Sequence, residues 1–65
     1  MMNIKIGDRF YDERHGRYLV TTGTGCDPKC WHCLVEEYNE DADDFEPVGD
    51  ALFMAGELAK MILRN

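Results

Sequence analysis

The chain has 65 residues, 13 of them acidic and 7 basic, for a formal net charge of −6. A core this small buries only about 60% of the unfolded surface, so the chain holds one domain at most. The odd count of 3 cysteines rules out a complete disulfide framework. No N-terminal apolar run suggests export, and no apolar stretch approaches the roughly 20 residues of a helical membrane span, so a reduced, cytoplasmic protein is expected.

In chain order, Ile4 and Ile6 precede Gly7-Asp8, a turn signal leading into a first strand over Arg9 to Asp12. Glu13-Arg14-His15-Gly16 forms a polar tight turn, and the β-branched and aromatic run Arg17 to Thr22 completes a hairpin. Thr22-Gly23-Thr24-Gly25 ends this strand, and Pro28 keeps the following loop extended. Cys30 to Tyr38 reads as the central strand, because Trp31, Cys33 and Val35 alternate with His32, Leu34 and Glu36 at period two. Asn39 to Asp44 is a solvated connection, and Phe45 to Val48 begins another strand. Gly49-Asp50 is expected to turn the chain into a short last strand, Ala51 to Met54. Ala55, Leu58, Ala59, Met61 and Ile62 then carry the three-and-four spacing of an amphipathic helix, with Arg64 suited to its C-terminal dipole.

Four or five short antiparallel strands and one C-terminal α-helix imply a mainly β fold, a partly open barrel. The segment Ile6-Gly7-Asp8-Arg9-Phe10-Tyr11-Asp12, then Gly16-Arg17-Tyr18, Trp31-His32-Cys33 and the closing Phe53-Met54 resemble small SH3-like barrel proteins of bacteriophages and mobile elements. The resemblance covers most of the chain and is structural. It implies an SH3-like fold and a phage or mobile-element origin, hence the host cytoplasm, and it carries over no functional residue.

All three cysteines and one of two histidines fall within Cys26-Asp27-Pro28-Lys29-Cys30-Trp31-His32-Cys33. The spacing of Cys26, Cys30 and Cys33 resembles the cluster-binding loop of radical S-adenosylmethionine enzymes, in which three thiolates hold an iron-sulfur cubane. That fold is about three times as long, and no glycine-rich cofactor segment follows here. A zinc site of Cys26, Cys30, His32 and Cys33 is the alternative function, a structural metal module. An extended strand from Cys30 opposes it, by sending Cys30 and His32 to one face and Cys33 to the other. The third reading makes Cys33 a core residue beside Trp31 and Val35, and no cofactor is then expected.

Charge is strongly local. Residues 1–34 carry five basic and four acidic side chains, whereas residues 35–65 carry two and nine. Glu36, Glu37, Glu40, Asp41, Asp43 and Asp44 form a field that repels phosphate and attracts basic surfaces, so direct nucleic-acid binding is not expected and a basic protein partner is. Calcium is disfavoured at Asp41 to Glu46, because the sixth-position glycine and twelfth-position glutamate of an EF-hand are missing. His15 reads as a surface residue, and Trp31, Tyr18, Phe10 and Tyr11 as candidates for an aromatic groove. Together these features lead to the expectation of a non-enzymatic acidic interaction module, such as an anti-CRISPR or anti-nuclease inhibitor that mimics nucleic-acid charge. Its oligomeric state is not legible.

Overall fold

The structure is a computed structural model that describes residues 3–25 and 27–65. Its elements are β1 (Arg9–Asp12), β2 (Arg17–Thr24), β3 (Cys30–Asn39), β4 (Asp44–Met54), a one-turn helix α1 (Ala55–Leu58) and β5 (Ile62–Leu63). The strands form one antiparallel sheet in the order β4-β3-β2-β1-β5. The fold is therefore mainly β, consistent with the small, partly open SH3-like barrel expected from the sequence.

Tight turns join the first strands. Gly7, at φ 91°, turns the chain into β1, and Gly16, at φ 62°, closes the β1–β2 hairpin, its N–H donating to the Asp12 carbonyl at 2.8 Å. Glycine, having no Cβ, takes such angles at little cost. The β3–β4 turn instead places Asp43 at φ 52°, a conformation that aspartate tolerates better than most residues.

Register assigns the two faces. Phe10, Leu19 and Val35 share an inner row, Thr21, Cys33 and Ala51 a second, and Trp31 and Phe53 a third. The core is Phe10, Leu19, Trp31, Cys33, Val35 and Leu58, with Ile4, Ala51, Phe53, Ala55 and Met61 packed against it. The period-two reading of the central strand is thus matched by burial: Trp31, Cys33 and Val35 point in, and His32 is exposed.

Three sequence expectations need correction. Gly49-Asp50 does not turn the chain, because Gly49 pairs with Val35 and Asp50 with Leu34 inside a continuous 11-residue β4. A register shift near Pro47 absorbs the irregularity, and an edge strand can accommodate a proline, which lacks an N–H. The helix does not run to Ile62. It stops after one turn, with tight bonds from Lys60 N–H to the Glu57 carbonyl and from Met61 N–H to the Leu58 carbonyl. Ile62 and Leu63 then pair with Tyr11 and Phe10, so satisfying the open side of β1 outweighs a short helical stripe containing Gly56. Arg64 is accordingly beyond β5 and not in a helix; its N–H donates to the Arg9 carbonyl at 2.7 Å.

The C-terminus is held by a polar clasp. The buried Asp8 carboxylate accepts the Lys5 N–H and the Asn65 side-chain amide, each at 2.8 Å, while Asn65 accepts the Arg9 N–H at 2.8 Å. The Lys5 backbone bond, then the Asn65 bond, keep the Asp8 carboxyl below its ordinary value despite burial.

Candidate functional site

The acidic residues singled out by the sequence gather on the β3–β4 hairpin, although they are not equivalent. Glu36 stands on the outer face and is paired with Arg9 at 3.3 Å. Glu37 stands between Arg17 and Glu46 in the ladder, but the Arg17 guanidinium turns to Asp12, at 3.0 Å. Glu37 and Glu46 therefore lie opposite one another as like charges, a destabilising arrangement in a sheet. Glu40, Asp41 and Asp43 occupy the turn, and Asp44 opens β4. Among the described residues, no salt bridge reaches Glu37, Glu40, Asp41, Asp43, Asp44 or Glu46.

Local bonds shape this hairpin end. Asn39 accepts the Asp41 N–H at 3.0 Å and donates to Glu46 at 2.8 Å. The Tyr38 hydroxyl donates to Asp43. That bond, followed by partial desolvation and the charge of Asp44, raises the Tyr38 pKa.

Beside the carboxylates runs a row of rings that the sequence did not reveal as a unit. Tyr11 and Tyr18 have centroids 5.0 Å apart, Tyr18 and Phe45 4.7 Å, and Phe45 and Tyr38 5.5 Å, the last two pairs edge-to-face. Of the aromatic residues proposed for a groove, Tyr11 and Tyr18 take part, whereas Phe10 and Trp31 are committed to the core. The available signal was that Tyr38 and Phe45 bracket the acidic turn and so become direct partners in any hairpin closed there.

No family model, curated protein or solved structure matches this chain.

The cysteine segment is divided by β3. Cys33 is fully buried on the inner face, its thiol toward the Trp31 carbonyl, while Cys30 is half-buried and His32 exposed on the alternate face. Cys26, the remaining member of the metal set, lies outside the described residues. Burial, followed by the proximity of Cys30, pushes the Cys33 thiol up to about 11, so it carries almost no thiolate at neutral pH. Iodoacetamide at pH 8 is expected to leave Cys33 unlabelled in the folded protein and to label it on unfolding, with or without a chelator, as read by peptide mass spectrometry. Labelling that appears only after chelation would mean that a metal, and not packing, protects the sulfur.

A second cluster was missed. Buried Asp12 accepts from Arg17 at 3.0 Å and lies 2.8 Å from His15 Nδ1. Burial alone would raise its pKa, but the bonds from His15 and Arg17, with their charges, outweigh this and hold the carboxyl below its usual value. These groups line a groove of about 890 Å³ between the β1–β2 turn and the helix, with Phe53, Lys60 and Met61 on its other walls. His15 is on the surface, as read from sequence, with its side chain 55% exposed. The chain contains no serine, and the groove lining carries no hydroxyl or thiol nucleophile for His15 to activate apart from the Tyr11 phenol. No helix among the described residues is long and apolar enough to cross a membrane.

Proposed function

We propose that the chain is a non-enzymatic protein-interaction module whose β3–β4 hairpin engages the basic surface of another protein. The observation that carries this reading is the concentration of Glu37, Glu40, Asp41, Asp43, Asp44 and Glu46 on one hairpin end without a cationic partner among the described residues. Uncompensated charge of one sign is costly to the fold and useful for encounter, because it steers an oppositely charged surface and rejects phosphate. Glu36 contributes to the same negative surface while anchoring Arg9.

One concrete version is a cytoplasmic inhibitor, encoded by a phage or mobile element, that occupies the nucleic-acid groove of a host nuclease or defence complex as a phosphate mimic, in the manner of an anti-CRISPR protein. Binding would then compete with nucleic acid, and the module itself would bind neither DNA nor RNA. Affinity for the captured partner is expected to fall by on the order of tenfold or more between low and high salt, and to fall comparably when Glu40, Asp41, Asp43 and Asp44 are replaced by their amides. Binding that is unchanged across a tenfold range of ionic strength would remove the electrostatic mechanism.

A further inference from the structure

The outer face already contains one complete cation site, made from the protein's own residues. The Arg9 guanidinium lies 3.6 Å from the centroid of the Tyr18 ring and is held at its edge by Glu36 at 3.3 Å, a carboxylate from the adjacent strand. An aromatic face and a carboxylate thus grip one planar cation. Farther along the row, the Arg64 guanidinium stands 5.8 Å from the Tyr11 centroid. The two rings nearest the β1 edge are therefore supplied with arginines from within.

An aromatic face beside a carboxylate recurs at the other end of the row, where no cation from the described residues sits on it. Tyr38 is 48% exposed, and its hydroxyl donates to Asp43, which fixes that carboxylate at the ring's edge. Phe45 packs edge-on against both Tyr38 and Tyr18, which holds the ring pair in place. Asp44 and Glu46 alternate with Phe45 along β4 and so belong to the other face, which leaves Asp43 as the carboxylate at the rings, and among the described residues it is in no salt bridge. Among the described residues, no cation–π contact is made to Tyr38 or Phe45.

We infer that the Tyr38–Phe45 ring pair, with the Asp43 carboxylate at its edge, is the docking point for an arginine side chain on the partner protein. The inference rests on the interaction reading above and deepens it from a general attraction to a specific anchor. Charge complementarity selects a cation, and the rings select which one. A guanidinium is flat, weakly hydrated and able to lie on a ring while donating to a carboxylate, whereas an ammonium is a compact, strongly hydrated point charge. The Arg9–Tyr18–Glu36 unit shows that this sheet face accommodates that geometry.

The test uses the full chain and two capped peptides of equal length and charge, one with arginine and one with lysine at three alternate positions. Titrations at low salt are followed by calorimetry and by NMR of the aromatic ring protons. The arginine peptide is expected to bind several-fold more tightly and to shift the Tyr38 and Phe45 ring signals most. Tyr38→Leu, at a half-exposed position, should erase the arginine preference while both peptides keep their salt-dependent binding. Equal affinities for the two peptides in the wild-type protein, without ring shifts, would overturn the anchor and leave the electrostatic reading in place. Absence of binding by either peptide at low salt would overturn both. The wild-type comparison decides the matter even if the Tyr38 variant fails to fold, and Asp43→Asn, which keeps both rings, should independently weaken arginine binding.

Discussion

Leu58→Ala is expected to cost about 2–5 kcal/mol, the range for emptying a fully buried leucine site. Leu58 is 0% exposed and is the one buried residue of α1, so its side chain is what seats the helix on the core. The helix has no side-chain cap on its first turn, and Glu57 alone reaches back to the Met54 N–H, at 3.2 Å. One helical turn has little stability of its own, so undocking it should also release Ile62 and Leu63 from β1. Small domains hold a net stability of roughly 5 kcal/mol at the low end, so a loss at the upper end of this range would leave the variant partly unfolded at room temperature. Its thermal midpoint should drop by roughly 10 °C or more. Circular dichroism melting checks the loss of stability, and amide exchange at Arg64, whose N–H donates to the Arg9 carbonyl across the β1–β5 pairing, checks the release. Leu52→Ala, at a site 57% exposed, serves as the control and should change stability by no more than about 0.5 kcal/mol. Equal melting of the two variants would mean that α1 does not close the core.

Acid should unfold this protein through two carboxylates in particular. Asp8 and Asp12 both titrate below 3.8 in the folded state. A group with a depressed folded pKa stabilises the fold fully above its unfolded pKa, and this contribution is lost as pH falls through the folded value. Stability should therefore decline below about pH 4 and level off once both groups are protonated in folded and unfolded chains alike. Asp12→Asn is expected to cost about 2 kcal/mol at pH 7, the scale of losing a charged hydrogen bond to the largely covered Arg17, and to flatten the acid limb. His15 adds little to this figure, since its side chain is half in water. Denaturant titrations at several pH values measure both effects. An acid limb as steep in Asp12→Asn as in the wild type would show that other groups govern acid unfolding.

The fold was legible where local pattern and tertiary demand agree. β1 and its tight turn, and the alternation of Trp31, Cys33 and Val35, follow from period-two burial that any pairing partner would enforce. The reading failed where partners distant in sequence decide. Gly49-Asp50 is a turn by composition, but Val35 and Leu34 hold it extended. Ile62 fits a helical stripe, but Tyr11 claims it for the sheet. The candidate site divides in the same way. The carboxylates were visible as a charge run, and Tyr38 opposite Phe45 follows from closing one hairpin. That Tyr18 would touch Phe45, across the strand carrying Glu36, required the register of three strands at once. The Asp12–His15–Arg17 cluster was hidden because its carboxylate is buried by the whole fold and not by its neighbours in sequence.

Among the described residues no strand pairs with the outer rim of β4, an edge whose backbone donors and acceptors are open to pairing. Asp44, Glu46 and Asp50 stand along that rim, and Pro47 removes one donor from it. Two copies approaching rim to rim would crowd negative charge against negative charge. That repulsion disfavours edge-to-edge pairing of one copy with another.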